Sequence, residues 1–269
     1  MPPIKMDLPD KDTFKNRIIL RAEDIAGKVE ERTLWSKANF FVRGGDKLAI
    51  MGANGSGKNT LIKKITDQAP GISLSPAVKM GYFAQNLTIL DNEKTILENV
   101  KITSNQDETL IRTVLARMHF FDDDVYKSVG VLSGGERVKV TLAKIFLSNV
   151  NMLILDEPTN YLDVESLEAL ETLLQDYEGT IIFVTHDRQF IQNIATHILE
   201  IENEQITFFD GSYEEYKSSQ IQCEKCSRKD ELLLLETKIS DVLSRLSVEP
   251  SEELEEKFQI LLKEKQKLQ

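Results

Sequence analysis

A glycine-rich segment, Gly52-Ala53-Asn54-Gly55-Ser56-Gly57-Lys58, follows the apolar run Leu48–Met51 and leads directly into the amphipathic stretch Thr60–Ile65. A strand that turns into a helix through glycines aims the backbone N–H groups of the turn, and the helix N-terminus, at one point. That arrangement attracts a phosphate. The glycines let the backbone curl tightly and approach the ligand closely. Lys58 stands where an ammonium would reach the β- and γ-phosphates of a nucleotide. The feature commits the chain to an α/β fold built around a phosphate loop.

The rest of the chain is consistent with that fold. From Ile18 to about Ser219, strand-like and helix-like segments alternate, which predicts βα units and a mostly parallel sheet. Lys47–Met51, Met152–Leu155 and Thr180–Thr185 are short apolar runs of the kind that form buried strands. Between roughly residues 87 and 143 the apolar spacing turns helical, as in Ile111, Val114, Leu115 and Met118, and predicts an inserted helical subdomain. Ile198–Ile201 and Gln205–Phe209 read as a hairpin across Glu202-Asn203-Glu204.

After Ser219 the pattern changes. Leu232, Leu235, Ile239, Val242 and Leu246 keep helical spacing, as do Leu254, Phe258, Leu261 and Leu262, with a break at Ser247-Val248-Glu249-Pro250. This predicts an antiparallel helical hairpin, packed on its own domain or presented to a partner. The expected division is a linker tail over 1–17, a nucleotide-binding domain over 18–219 and a helical extension over 220–269.

Two further segments carry chemistry. Met152-Leu153-Ile154-Leu155-Asp156-Glu157 is an apolar strand ending in two acids, at the sheet edge where α/β folds bind ligands. Asp156 is suited to hold Mg²⁺ through water and Glu157 to polarise an attacking water. Leu132-Ser133-Gly134-Gly135-Glu136 precedes a helix through Val138–Leu147. It reads as a serine-capped turn or as a second phosphate grip at a helix N-terminus. One position departs from the phosphate-loop pattern. The residue after Lys58 is Asn59, followed by Thr60, where a Ser or Thr hydroxyl ordinarily ligates Mg²⁺. An amide oxygen can bind a hard cation, but Asn is longer and its NH₂ end is a donor. The expectation is weakened Mg²⁺ binding and slowed turnover with nucleotide binding partly kept.

Taken in order, Gly52–Lys58, Gln85, Leu132–Glu136, Leu155–Glu157 and His186 resemble the motif set of ABC-type ATPases. The resemblance implies that LSGGE, with Ser133, Gly134 and Gly135, docks onto ATP held by an opposite domain. It implies that Gln85 senses Mg²⁺ and the γ-phosphate, and that His186 contacts the γ-phosphate. The stretch Glu157-Pro158-Thr159-Asn160-Tyr161-Leu162-Asp163 is similar to the EPTNHLD sequence of ABC-F proteins, with Tyr161 in place of His. The run His186-Asp187-Arg188-Gln189-Phe190 and the segment Phe209–Tyr216 extend that likeness over the closing strands. Val29 falls where the class stacks adenine on an aromatic ring, so apolar packing replaces stacking and ATP versus GTP stays open. Trp35 is expected in the core.

The resemblance further implies Mg²⁺ and ATP as cofactor and substrate, and a second nucleotide-binding domain as partner, from the same parent chain or a homodimer. One copy supplies Lys58 and Glu157 to one site and Ser133 to another, so a single domain holds no complete site. ABC-F proteins act on the ribosome and its RNA, as translation factors or in protection from antibiotics. Val29 and the helical extension favour the protective branch, and the single domain favours the C-terminal half of a longer chain. The motor subunit of an ABC membrane transporter is the alternative, as is an ATP-binding domain whose turnover Asn59 impairs.

Composition supplies the exclusions. A net charge of -11 argues against a nucleic-acid footprint over the whole surface. No stretch approaches the roughly 20 apolar residues that span a bilayer, and the first residues lack an apolar signal core, so a cytoplasmic location is expected. Cys223 and Cys226 form one CxxC without further ligands nearby, and read as two thiols on a helix face.

Overall fold

The computed structural model describes residues 15–84, 89–160, 162–248 and 252–268. Most of the expected tail, and the glutamine-loop residues 85–88, lie outside them. The chain forms two compact units, one ending at Tyr213 and one running from Glu214.

The first unit opens with two long strands, β1 (Ile18–Val29) and β2 (Arg32–Arg43), paired antiparallel and interrupted by register shifts. They continue into the parallel-sheet strand β3 (Lys47–Gly52), the phosphate loop and helix α1 (Lys58–Thr66). β4 (Ile72–Leu74) returns to pair with β1, completing a three-stranded antiparallel sheet that the sequence reading did not anticipate. β5 (Met80–Phe83) then enters the main sheet.

The expected helical region follows as α2 (Ile96–Lys101), α3 (Glu108–Arg117), two 3₁₀ turns and α4 (Gly134–Phe146). Thr95 and Asp107 cap α2 and α3, and Ile111, Val114, Leu115 and Met118 are all buried, as the helical spacing required. The last elements of this unit are β6 (Met152–Asp156), α5 (Val164–Asp176), β7 (Thr180–Val184), α6 (Arg188–Ile194), β8 (His197–Glu202) and β9 (Gln205–Asp210).

The six-stranded sheet has the order β5-β6-β7-β3-β8-β9, parallel except for the β8–β9 hairpin. Asn203 and Glu204, at φ 48° and 60°, turn that hairpin in the two-residue manner that suits strand twist. β6 and β7 are buried at every residue because both faces of the sheet are covered. On one face Leu61, Ile62 and Ile65 of α1 pack with Leu48, Ile50, Ile154 and Ile182 beneath the antiparallel sheet. On the other, Phe183 meets Phe190 of α6 edge-on at 5.5 Å.

The second unit holds most of α7 (Tyr213–Val248), 36 residues long, and α8 (Glu252–Leu268). Leu235, Val242 and Leu261 form its buried seam, with Ile239 and Phe258 against it, and Lys265 pairs with Glu236 at 2.7 Å. These contacts join residues far apart along the helices in reverse order, the geometry of an antiparallel hairpin. Cys223 is an exposed free thiol on α7.

Candidate nucleotide site

The strand order β6-β7-β3 sets the C-terminal ends of three neighbouring parallel strands side by side. The acids at the end of β6, the histidine after β7 and the loop after β3 therefore share one edge of the sheet, where open α/β sheets bind ligands.

Gly57 occupies the N-cap of α1 at φ 102°, and no side chain caps this helix and no acid lies in its first turn. Its first N–H groups and the positive end of its dipole are thus left to an anion. Lys58 is buried and its Nζ donates to Gly52 O at 3.0 Å and Ala53 O at 3.1 Å. Burial lowers its pKa, opposed by the carboxylates of Glu157 and Asp156. Asn59 is exposed on the first turn, with Thr60 beside it half-buried.

Asp156 is 8% exposed and its Oδ1 has no hydrogen-bond partner among the described residues. Burial raises the pKa of this carboxyl while Lys58 pulls it down. A buried carboxylate oxygen left without a donor fits a hydrated Mg²⁺, which is held by one or two carboxylates, water and substrate phosphates. Glu157 sits at φ 50°, a conformation rare outside glycine, fixed by its N–H donating to Val184 O at 2.9 Å. Burial raises its pKa too, against the pull of His186 and Lys58. His186 Nε2 lies 3.4 Å from Glu157 Oε1. Around the histidine, Thr185 Oγ1 is 2.9 Å from Thr159 Oγ1 and accepts from the Asp187 N–H, and Asp187 caps α6.

One open groove of about 640 Å³ brings together Val29, Lys58, Asn59, Thr60, Glu157 and His186. Asn54, Gly55 and Gly57 line it as well. Gly52 and Ser56 line an adjoining groove. Val29, 51% exposed, stands at the tip of the β1–β2 hairpin, an apolar wall available to a base.

Ser133, Gly134 and Gly135 line neither groove. They open α4, where Ser133 is the N-cap of a reciprocal capping box with Glu136. A helix four residues longer than expected at its start results, because the box closes a turn that carries no apolar signal. Lys139 of α4 reaches Asp163 at 3.1 Å, tying this helix to the segment after Glu157. Asp163 also caps α5.

Several neighbours of the site escaped the sequence reading, Arg32, Leu34 and Tyr82 among them. Leu34 lines both grooves. Burial, and after it the Asp156 carboxylate, raises the phenol pKa of Tyr82 on β5. Their signal was adjacency to motif residues, visible only once the strands are ordered.

The fold and this groove define the nucleotide-binding domain of the ABC class. The family described as "ABC transporter" matches residues 35–160. The ATP-binding subunit of an ABC transporter superposes with a TM-score of 0.62 over 75% of this chain and 92% of its own, at 21% identity, a likeness of fold. At the level of sequence the chain is similar to proteins of the ABC-F family. The energy-dependent translational throttle protein EttA of Escherichia coli K12 is 37% identical over 209 residues, which is 74% of this chain and 38% of EttA. ABC transporter F family member 5 of Arabidopsis thaliana is 35% identical over 220 residues, 79% of this chain and 32% of its own. A protein described as "Probable ATP-binding protein YbiT", of Escherichia coli O157:H7, is 39% identical over 217 residues, 78% of this chain and 41% of its own. The chain spans under half the length of each. Among the described residues no helix is long and apolar enough to cross a membrane.

Proposed function

We propose that this chain is the ATP-binding and hydrolysing domain of an ABC-F protein that acts on the ribosome, closing on ATP together with a second such domain. The observation that carries the reading is the single groove in which an uncapped helix N-terminus and Lys58 face the Glu157–His186 pair. Its likeness to a protein named a translational throttle points to translation, and the antibiotic-protective branch is the finer expectation.

In this reading the α1 N–H groups and Lys58 hold the β- and γ-phosphates, with Lys58 giving up its bonds to Gly52 O and Ala53 O. Asp156, Asn59 and Gln85 would hold Mg²⁺, which would supply charge neutralisation at the phosphates. Glu157 takes the proton of the attacking water; its raised pKa makes it a better base than an exposed carboxylate. His186 orients the γ-phosphate against that carboxylate. Ser133, Gly134 and Gly135 serve the ATP of the opposite domain, and Val29 packs on the base. A second reading, binding with impaired turnover, is favoured by Asn59 at the position of the Mg²⁺ hydroxyl.

Light scattering without nucleotide and with Mg-ATP, on this chain and on Asn59→Ser, tests the reading. An ATP-dependent dimer supports the sandwich, and dimerisation of the Ser variant alone assigns the defect to Asn59. Hydrolysis unchanged between the two proteins would sink the role given to Asn59. Sedimentation of the intact parent with membranes instead of ribosomes would sink the ABC-F assignment of function.

A further inference from the structure

The one tryptophan of the chain lies under the phosphate loop. Trp35 of β2 is fully buried, and its indole abuts two glycines. Gly27, its register partner on β1, has no room for a side chain, because a carbon there would collide with the indole ring. Gly57 meets the ring as well: a side-chain carbon there would sit 2.7 Å from Trp35 Nε1 and 3.0 Å from Leu34 Cδ1. The indole Nε1 is buried without a hydrogen-bond partner among the described residues. An unpartnered donor in the core costs free energy, and a purely space-filling position would be served by Phe or Leu without that cost.

We propose that Trp35 is a positioning residue of the nucleotide site, setting the height of Gly57 and through it the direction of Lys58 and the first α1 N–H groups. The inference rests on the ATP-binding reading. Protein interiors are close-packed and transmit displacement. With Gly57 at φ 102° resting on the ring, the loop cannot settle without the indole or stand proud of it. The same contact makes the ring sense the loop, since a small shift of the backbone around Gly57 changes the surroundings of the indole nitrogen.

The test combines tryptophan emission with calorimetry. Mg-ADP and Mg-ATP are titrated into the wild-type chain while emission is followed, and heats of binding are measured for wild type, Trp35→Phe and Phe40→Leu. Phe40 lies on the same strand and in the same core cluster, and serves as the control for core loosening alone. The expected result is an emission change that saturates with the calorimetric Kd. Trp35→Phe should bind at least about tenfold more weakly, since small misplacements of a binding group carry large penalties, whereas Phe40→Leu melts lower but binds as wild type. Calorimetric binding with silent emission overturns the role, as does an equal loss in the two variants. The emission arm stands even if Trp35→Phe fails to fold. A wild-type chain that binds neither nucleotide overturns the ATP-binding reading, and this role falls with it.

Discussion

Helices α1 and α4 both begin in a glycine-rich turn, but one start is open and the other closed. α1 begins at a left-handed glycine without any capping side chain and without an acid in its first turn. α4 begins at Ser133, whose hydroxyl lies 2.6 Å from Glu136 Oε2 and accepts from the Glu136 N–H at 3.3 Å. The open end concentrates uncommitted polar groups around it: Ser56 Oγ and Asp156 Oδ1 are both buried without partners among the described residues. The closed end has satisfied its serine and placed a carboxylate against its own dipole. Among the described residues nothing would lie within 4 Å of a side-chain carbon at Gly134, so its backbone is still approachable. In the proposed sandwich, then, α1 recruits the bare phosphate chain, whereas α4 meets a phosphate whose charge Lys58 and Mg²⁺ of the other domain have already offset.

The largest effect is expected from breaking the open end. Gly57→Ala puts a side chain where φ is 102° and Trp35 and Leu34 leave no room. The strain costs roughly 1–3 kcal/mol, and nucleotide affinity should fall by about 100-fold or more as the loop is displaced. Calorimetry against a thermal melt separates the two, and unchanged affinity would show that the loop does not need this geometry.

A smaller effect, of opposite sign for stability, is expected at Asp156. Its pKa is raised in the folded chain, so the charged form is disfavoured by folding. The stability tied to its proton is present at low pH and lost as pH rises through the folded value. At neutral pH Asp156→Asn should raise Tm by roughly 2–4 °C in the absence of Mg²⁺, while abolishing the further stabilisation by Mg-ATP over ATP alone. A lower Tm in the variant would mean that Lys58 stabilises the carboxylate by more than burial penalises it.

The contrast between the two ends was only half legible in the sequence. The loop Gly52–Lys58 was readable because three glycines between an apolar run and an amphipathic one admit few alternatives. β3, β6 and β7 were readable because a strand covered on both faces is apolar throughout. β1 and β2 were not, since their register shifts break the alternation that marks a strand. Trp35 could be assigned to the core, but nothing in the order of residues tells that its ring lies on Gly57. The pairing of Glu157 with His186 crosses 29 positions of chain and depends on β6 and β7 being neighbours, a matter of topology. The Ser133–Glu136 spacing did carry the capping box. Its consequence, a helix start whose dipole already faces a carboxylate of its own, appears only beside the uncapped α1.

The smallest expected effect sharpens that last point. Glu136 has its pKa lowered, first by the Ser133 hydroxyl and then by the Ser133 N–H. A carboxylate with a depressed folded pKa contributes stability above its unfolded value, and the contribution fades as pH falls through the folded one. Ser133→Ala should cost about 1 kcal/mol at neutral pH. It should also flatten the decline of Tm with acidification below pH of about 4.3, the ordinary glutamate value. Parallel melts of the two proteins through this range provide the measurement. If the wild type and Ser133→Ala lose stability with the same slope, the box is not a charged cap. The start of α4 would then be as free to take an unneutralised phosphate as that of α1, and the division of labour between the two helices would fail.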